Sequence, residues 1–222
     1  MTAPLDAPSP NPSLLRRERQ RAETRARILE AARELFVANG VAATTMRAIA
    51  ARIEYTPTAI YHHFRDKDAL LAELCTNDFL ALAGAFQRIG RIEDPIERIR
   101  RIGIAYVDFA LDNKSQYQFL FMTPSSHLHR DGLKQVEKNN PEQDAYAFLR
   151  ASVEEALKRG LFRTEFQDAD QLAQILWGGL HGIVALHIVK GDDEWIHWAE
   201  PRATARLAVD VLLRGTRRAE PA

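Results

Sequence analysis

Cysteine is almost missing from this chain. Cys75 stands alone among 222 residues, so no disulfide can form within the chain, and a reducing, cytoplasmic setting is expected. Nothing local would lower the pKa of that thiol, which reads as a half-buried helix residue rather than a redox sensor. Metal-ligand spacing is missing too: His127-x-His129 has no partner at zinc distance, and no metal is expected. There is no Gly-x-Ser-x-Gly elbow and no defensible Cys–His pairing. Gly178-Gly179-x-x-Gly182 falls inside a helical stretch, not after a strand, so it is no phosphate loop. An enzyme is therefore not expected, nor a cofactor. The most apolar stretch, residues 175–189, reads as too short for a bilayer and contains three glycines and two histidines. The first residues are proline-rich (Pro4, Pro8, Pro10, Pro12) with no apolar run, so neither a secretory signal nor a membrane partner is expected. The acidic loop Asp192-Asp193-Glu194 reads as solvated. No convincing strand and no internal repeat is present.

Net charge is also missing: 30 basic residues balance 30 acidic ones. The balance is uneven along the chain. Residues 14–67 hold 11 Lys and Arg against 6 Asp and Glu, an excess of five positive charges, and the remainder carries the opposite excess. A basic end on an acidic body suits a protein that meets nucleic acid with one end only.

Helical periodicity runs through the rest. Ile28, Ala32, Leu35 and Phe36 recur at i, i+4, i+7 and i+8, predicting an amphipathic helix over 24–38 that Asn39-Gly40 ends. Thr44-Thr45 offers the next N-cap, and Met46, Ile49, Ala50 and Ile53 give a second short helix. Glu54-Tyr55 leads to the run Thr56-Pro57-Thr58-Ala59-Ile60-Tyr61-His62-His63-Phe64. Thr56 is a good N-cap, and Pro57 sits where its missing N–H is harmless. Ile60 and Phe64 point inward together, which leaves Thr56, Thr58, Ala59, Tyr61 and His62 on the outer faces. Such residues suit a groove lined with base edges and phosphates. Two brief helices, a tight turn and a third helix make the helix-turn-helix plan.

Residues 24–71 resemble the DNA-binding domain of TetR-family transcriptional regulators. The resemblance rests on Ile28-Leu29 with Ala31-Ala32, Leu35-Phe36, Gly40, Thr44-Thr45, Ile49-Ala50 and Ile60-Tyr61-x-x-Phe64-x-x-Lys67-x-x-Leu70. The chain departs where the family usually has glycine in the turn, here Glu54, and where an acidic residue often closes a capping box on Thr45, here Ala48. The resemblance implies that Arg47, Tyr61, His63 and Lys67 anchor phosphates and that Thr56, Thr58, Ala59 and His62 face bases. Thr44, Thr45 and Pro57 complete the implied DNA-binding set.

Asp66 is the expected N-cap of a long helix over 67–87. Further starts are expected at Asp94-Pro95-Ile96-Glu97 and Asn140-Pro141-Glu142-Gln143. The last two helices are expected over 168–190 and 201–214, with Gly191 and Gly215 as stops. Three glycines in 168–190 call for close approach of another backbone, because each costs about 1 kcal/mol in a helix interior. Both final helices are apolar on more than one face, and a second copy of the chain would cover them as a four-helix bundle. The TetR resemblance points the same way.

The run Trp177-Gly178-Gly179-Leu180-His181-Gly182 resembles a signature in the C-terminal domain of one TetR subgroup. Tyr106, Phe109, Phe119, Phe121, Met122 and Phe148 come from segments expected to surround it. From these a pocket for a small apolar effector is expected among Tyr106, Phe109, Phe119, Met122, Phe148, Trp177 and His181. The alternative for this group is a plain aromatic core.

The expected fold is all-α: a disordered segment or basic arm over 1–22, a three-helix helix-turn-helix domain over 23–68, and a helical ligand-binding and dimerisation domain over 69–218. Six arginines in 14–27 would either reach phosphates or sit on a solvated extension of the first helix. The expected function is a ligand-responsive regulator, a repressor binding a palindromic DNA operator as a homodimer. The alternative is a helical small-molecule-binding or scaffold protein without DNA binding.

Overall fold

The computed structural model describes residues 12–123 and 137–218. Among them the chain forms nine α-helices and no sheet, save an isolated antiparallel bridge between Phe162 and Arg217. It divides into two compact units, Met1–Leu71 and Ala72–Ala222.

In the first unit, α1 (Pro12–Asn39) buries Ile28, Leu29, Ala31, Ala32 and Phe36. Gly40 then takes a φ of 81° and closes the helix with its N–H on the Phe36 carbonyl. The helix starts twelve residues before the expected position 24, because the arginine segment joins it; Leu, Arg, Glu, Gln and Ala are good helix formers. Residues 1–11, part of the segment expected to be disordered, lie outside the described residues, as do His127 and His129. Helix α2 (Met46–Arg52) is capped by Thr45, whose hydroxyl accepts the Ala48 N–H at 3.1 Å. Helix α3 (Pro57–Tyr61) is capped by Thr56. It stops short of the expected Phe64, since the N–H groups of His63 and Phe64 both turn onto the Ile60 carbonyl, at 2.8 and 3.0 Å. Ile60 and Phe64 are buried, and Asp66 caps α4 (Lys67–Phe86) through the Ala69 N–H.

In the second unit, α5 (Pro95–Asp112) packs on α6 (Lys114–Met122), α7 (Ala145–Lys158), α8 (Ala169–Lys190) and α9 (Pro201–Thr216). Gly103 makes the three-way crossing possible. A Cβ there would lie 2.8 Å from Leu180 and 3.1 Å from Val209. Arg98 ties α5 to α7 by bonding Ser152 and pairing with Glu155.

Three local expectations change. Helix α7 begins five residues after Asn140, because Asp144 takes both the Tyr146 and Ala147 N–H groups while the Asn140 side-chain oxygen accepts only from the Glu142 N–H. Gly191 and Gly215 have no positive φ, and α9 runs through Gly215 to the buried Thr216. Finally, α8 is not too short for a bilayer. By length and composition alone, Lys67–Arg91 and Ala169–Lys190 could each cross one. Helix α8, however, buries Leu172, Ala173, Leu176, Leu180 and Val184 within its own unit.

Candidate functional site

The outer surface of the first unit gathers most of the residues expected to meet DNA. Thr45, Arg47, Thr56, Pro57, Thr58, Tyr61 and His62 are exposed, and Ala59 is half-buried. Tyr61 keeps 53 % of its surface open, a large value for an aromatic side chain. The two N-cap hydroxyls, Thr45 and Thr56, each hold one N–H of their own helix.

Two residues of the expected set also bond inside the protein. Thr44 is buried, and its hydroxyl donates to the carbonyls of Gly40 and Leu35 at 2.9 and 3.1 Å. It braces the α1–α2 connection and does not face outward. Lys67 donates from Nζ to the carbonyls of Val41 and Thr44 at 2.9 and 3.1 Å. With two of its three N–H groups, its ammonium therefore clamps that same connection to the start of α4. His63 is only half open. Its carbonyl accepts from the Arg25 guanidinium, which also stacks 4.0 Å over the Phe64 ring. Burial, aided by the charges of Arg21 and Arg25, holds the His63 imidazole below its ordinary pKa.

The second unit builds an aromatic cluster around His181. Its Nδ1 lies 2.7 Å from the Tyr117 hydroxyl and 3.1 Å from that of Tyr106. Burial lowers the His181 pKa, so the ring is neutral at pH 7. A neutral imidazole accepting at Nδ1 carries its proton on Nε2. Burial also pushes Tyr117 up to about 12 and Tyr106 higher still. Trp177 packs edge-on to Phe121 at 5.8 Å and to His181 at 6.1 Å, and meets Tyr146 at 6.1 Å. The Tyr146 hydroxyl donates to Asp170 at 2.8 Å.

Of the seven residues expected in a pocket, Tyr106, Trp177 and His181 come together here. Phe119 is fully buried on the far side of α6, being two residues from both Tyr117 and Phe121, about 200° round the helix from each. Phe148 lies likewise opposite Tyr146 on α7 and stacks on Phe86 at 6.2 Å. Phe109 is buried in the surrounding core, and Met122 is 39 % exposed. Tyr117 and Tyr146 are absent from the expected set; the signals that could have found them are the i, i+4 pair Tyr117–Phe121 and the place of Tyr146 in the first turn after the Asp144 cap.

On the final two helices, Ile175, Gly178, Gly182, Leu186 and Val189 make one exposed or half-exposed stripe of α8, and Ala203, Leu207 and Val211 make another on α9. Cβ atoms at Gly178 and Gly182 would meet nothing within 4 Å, whereas one at Gly179 would collide with Leu212 of the same chain at 2.8 Å.

Family comparisons agree with this arrangement. The family described as bacterial regulatory proteins, tetR family, matches residues 28–74, and the tetracyclin repressor-like C-terminal domain matches residues 99–212. The chain belongs to the TetR family. It is 36 % identical over 90 residues to the transcriptional regulator UidR of Escherichia coli K12, a match spanning 40 % of this chain and only 40 % of the length of UidR. It is 27 % identical over 188 residues to the transcriptional repressor BepR of Brucella suis, covering 82 % and 90 % of the two chains. Among solved structures it resembles the TetR-family regulator PfmR of Thermus thermophilus (TM-score 0.67, 22 % identity, 86 % and 99 % covered) and the ketosteroid regulator KstR2 of Mycobacterium tuberculosis (0.68, 19 %, 88 % and 96 %). In this TetR-family chain the turn position where the family usually carries glycine is Glu54, and its φ is 62°. The left-handed conformation is kept although the residue that adopts it freely is gone.

Proposed function

We propose that the chain is a ligand-responsive transcriptional regulator, a repressor, that binds a pseudo-palindromic operator in the cytoplasm as a homodimer. The observation that carries this is the outward face of the α2–α3 unit. Thr56, Thr58, Ala59, Tyr61 and His62 cover a capped helix whose inner face is buried through Ile60 and, just beyond its end, Phe64. In this reading α3 enters the major groove, Thr58 and His62 meet base edges, and Arg47 and Tyr61 hold phosphates on either side. The repressor name of BepR supports the sign of regulation. The open stripes of α8 and α9 pack on those of a second copy, which gives Gly178 and Gly182 the close neighbour they lack within one chain.

The effector in this reading is a small, mainly apolar molecule held against Trp177, Phe121 and Tyr146, with the Nε2 proton of His181 as its donor. Burial leaves a charged ligand poorly paired there. Binding would shift the dimer between a DNA-competent and an incompetent spacing. The test is to select duplexes from a random library with the purified protein and map them by footprinting. A two-fold symmetric site is the expected result; no enrichment, with no band shift at low salt, would favour a ligand-binding protein without DNA binding.

A further inference from the structure

The buried residues of α1 begin at Ile28 and its internal contacts at Arg25, yet the helix starts at Pro12. The sixteen residues before Ile28 amount to about 24 Å of helix at 1.5 Å per residue. Arg16, Arg17, Arg19 and Arg21 on this extension are exposed and have no hydrogen-bond or ion-pair partner among the described residues. A solvated helix that long would ordinarily be laced with ion pairs.

Their placement round the helix is not uniform. At about 100° per residue, Arg17, Arg21 and Arg25 share a face with Ile28, all within roughly 80° of one another. Arg16 and Arg19 lie about 140–160° away from the middle of that face. Arg25 is already fixed at the end of α3, bonded to the His63 carbonyl and stacked on Phe64. Arg21 is close enough for its charge to act on the His63 ring. The stripe thus starts at the C-terminal end of the exposed helix and continues outward, one turn at a time.

We propose that Arg17 and Arg21 are a second DNA contact, gripping backbone phosphates that flank the site read by α3. This rests on the operator reading above. A guanidinium fork matches two phosphate oxygens, and an unpaired arginine gives up no internal bond to make that contact. A membrane surface fits less well. The faces opposite the stripe carry Arg16, Arg19 and Arg27, where an interfacial helix would need a continuous band of apolar residues. From Arg25 to Arg17 the helix advances about 12 Å, the axial length of three to four base pairs at about 3.4 Å each.

The test compares Arg17→Ala/Arg21→Ala with Arg16→Ala/Arg19→Ala, which removes the same charge from the other side. The probe is a duplex selected by the wild-type protein, with at least ten flanking base pairs on each side. Each phosphate contact contributes about 0.9 to the log–log salt slope, so losing four per dimer should flatten it by about 3.6. A fourfold rise in salt would then weaken the stripe variant about 150-fold less than the wild type. Hydroxyl-radical protection should also retract by about three to four base pairs at each end. The control pair should shift the slope by less than one and leave the footprint intact. An unchanged slope and footprint in the stripe variant, or equal losses in both variants, would overturn the clamp while leaving the operator reading standing. Failure of the wild type to bind any duplex would overturn both.

Discussion

Replacing Glu54 by glycine should stabilise the DNA-binding unit. Glu54 sits between α2 and α3 with φ 62°, a region that disfavours any residue bearing a Cβ. That conformation costs about 1–2 kcal/mol for an L-residue. Glycine relieves the strain but loses about 0.5–1 kcal/mol through the greater freedom of its unfolded chain. Taken at the midpoints of these ranges, the difference is a gain of about 0.75 kcal/mol. The side chain is exposed, and the backbone bond from the Glu54 N–H to the Ala51 carbonyl, 3.2 Å, is retained by glycine. For a unit of this size the gain corresponds to about 2–8 °C in melting temperature. Glu54→Ala is the control: it removes the same charge and keeps the Cβ, so it should gain nothing. Thermal melts with hydrogen exchange at the α2–α3 amides would read both variants. Glu54→Gly no more stable than wild type, or Glu54→Ala equally stabilised, would refute the backbone argument and leave charge as the cause.

Leu207→Arg or Val211→Arg should break the dimer, raising its dissociation constant at least ~100-fold, because each buries a charge against an apolar stripe. Gly179→Leu should instead lower fold stability, as Leu212 of the same chain fills that space; sedimentation that found a wild-type monomer at micromolar concentration would remove the basis for the first expectation. His181 and His63 both titrate below the ordinary histidine value of 6.5. The unfolded chain therefore binds their protons first, and their contribution to stability is complete above pH 6.5 and lost as pH falls from there through the lower folded pKa values. Imidazole resonances of His181 with a midpoint at or above 6.5 would contradict this. Tyr117→Phe should cost about 1 kcal/mol through the lost bond to His181 and move that midpoint, as read by denaturant melts and the same resonances. An apolar aromatic effector should change Trp177 fluorescence in a Trp195→Phe/Trp198→Phe background, and His181→Ala should weaken its binding while the affinity for DNA without effector is retained; equal affinity in both proteins would remove His181 from the site.

Much of the fold was legible because the relevant signals are local. Thr45, Thr56, Asp66 and Asp94 each cap the helix that their position in the sequence suggests, and the Ile60–Phe64 pair fixes which face of α3 is buried. What the sequence does not show has a different cause. Lys67 and Thr44 are polar and look outward in sequence, yet their partners are backbone carbonyls 23 and 26 or 4 and 9 residues away, which no side-chain pattern encodes. Phe119 and Phe148 are expected beside Trp177 because they are aromatic and near in sequence to residues that are. Their i+2 offset from Tyr117 and Tyr146 turns them to the opposite side of the helix. Asp144 outcompetes Asn140 as the α7 cap, since a carboxylate accepting two N–H groups at a helix N-terminus also gains from the helix dipole. Glu54 shows the reverse: the turn geometry survives in the fold although the glycine that would announce it is absent.

The central claim, that this chain reads DNA as a dimer through its basic end, is tested most directly by the salt dependence of binding to a selected duplex. With about eight phosphates neutralised per dimer, the log–log slope should lie near −7, at a stoichiometry of two chains per duplex. A slope near zero, or no binding at low salt, would contradict it.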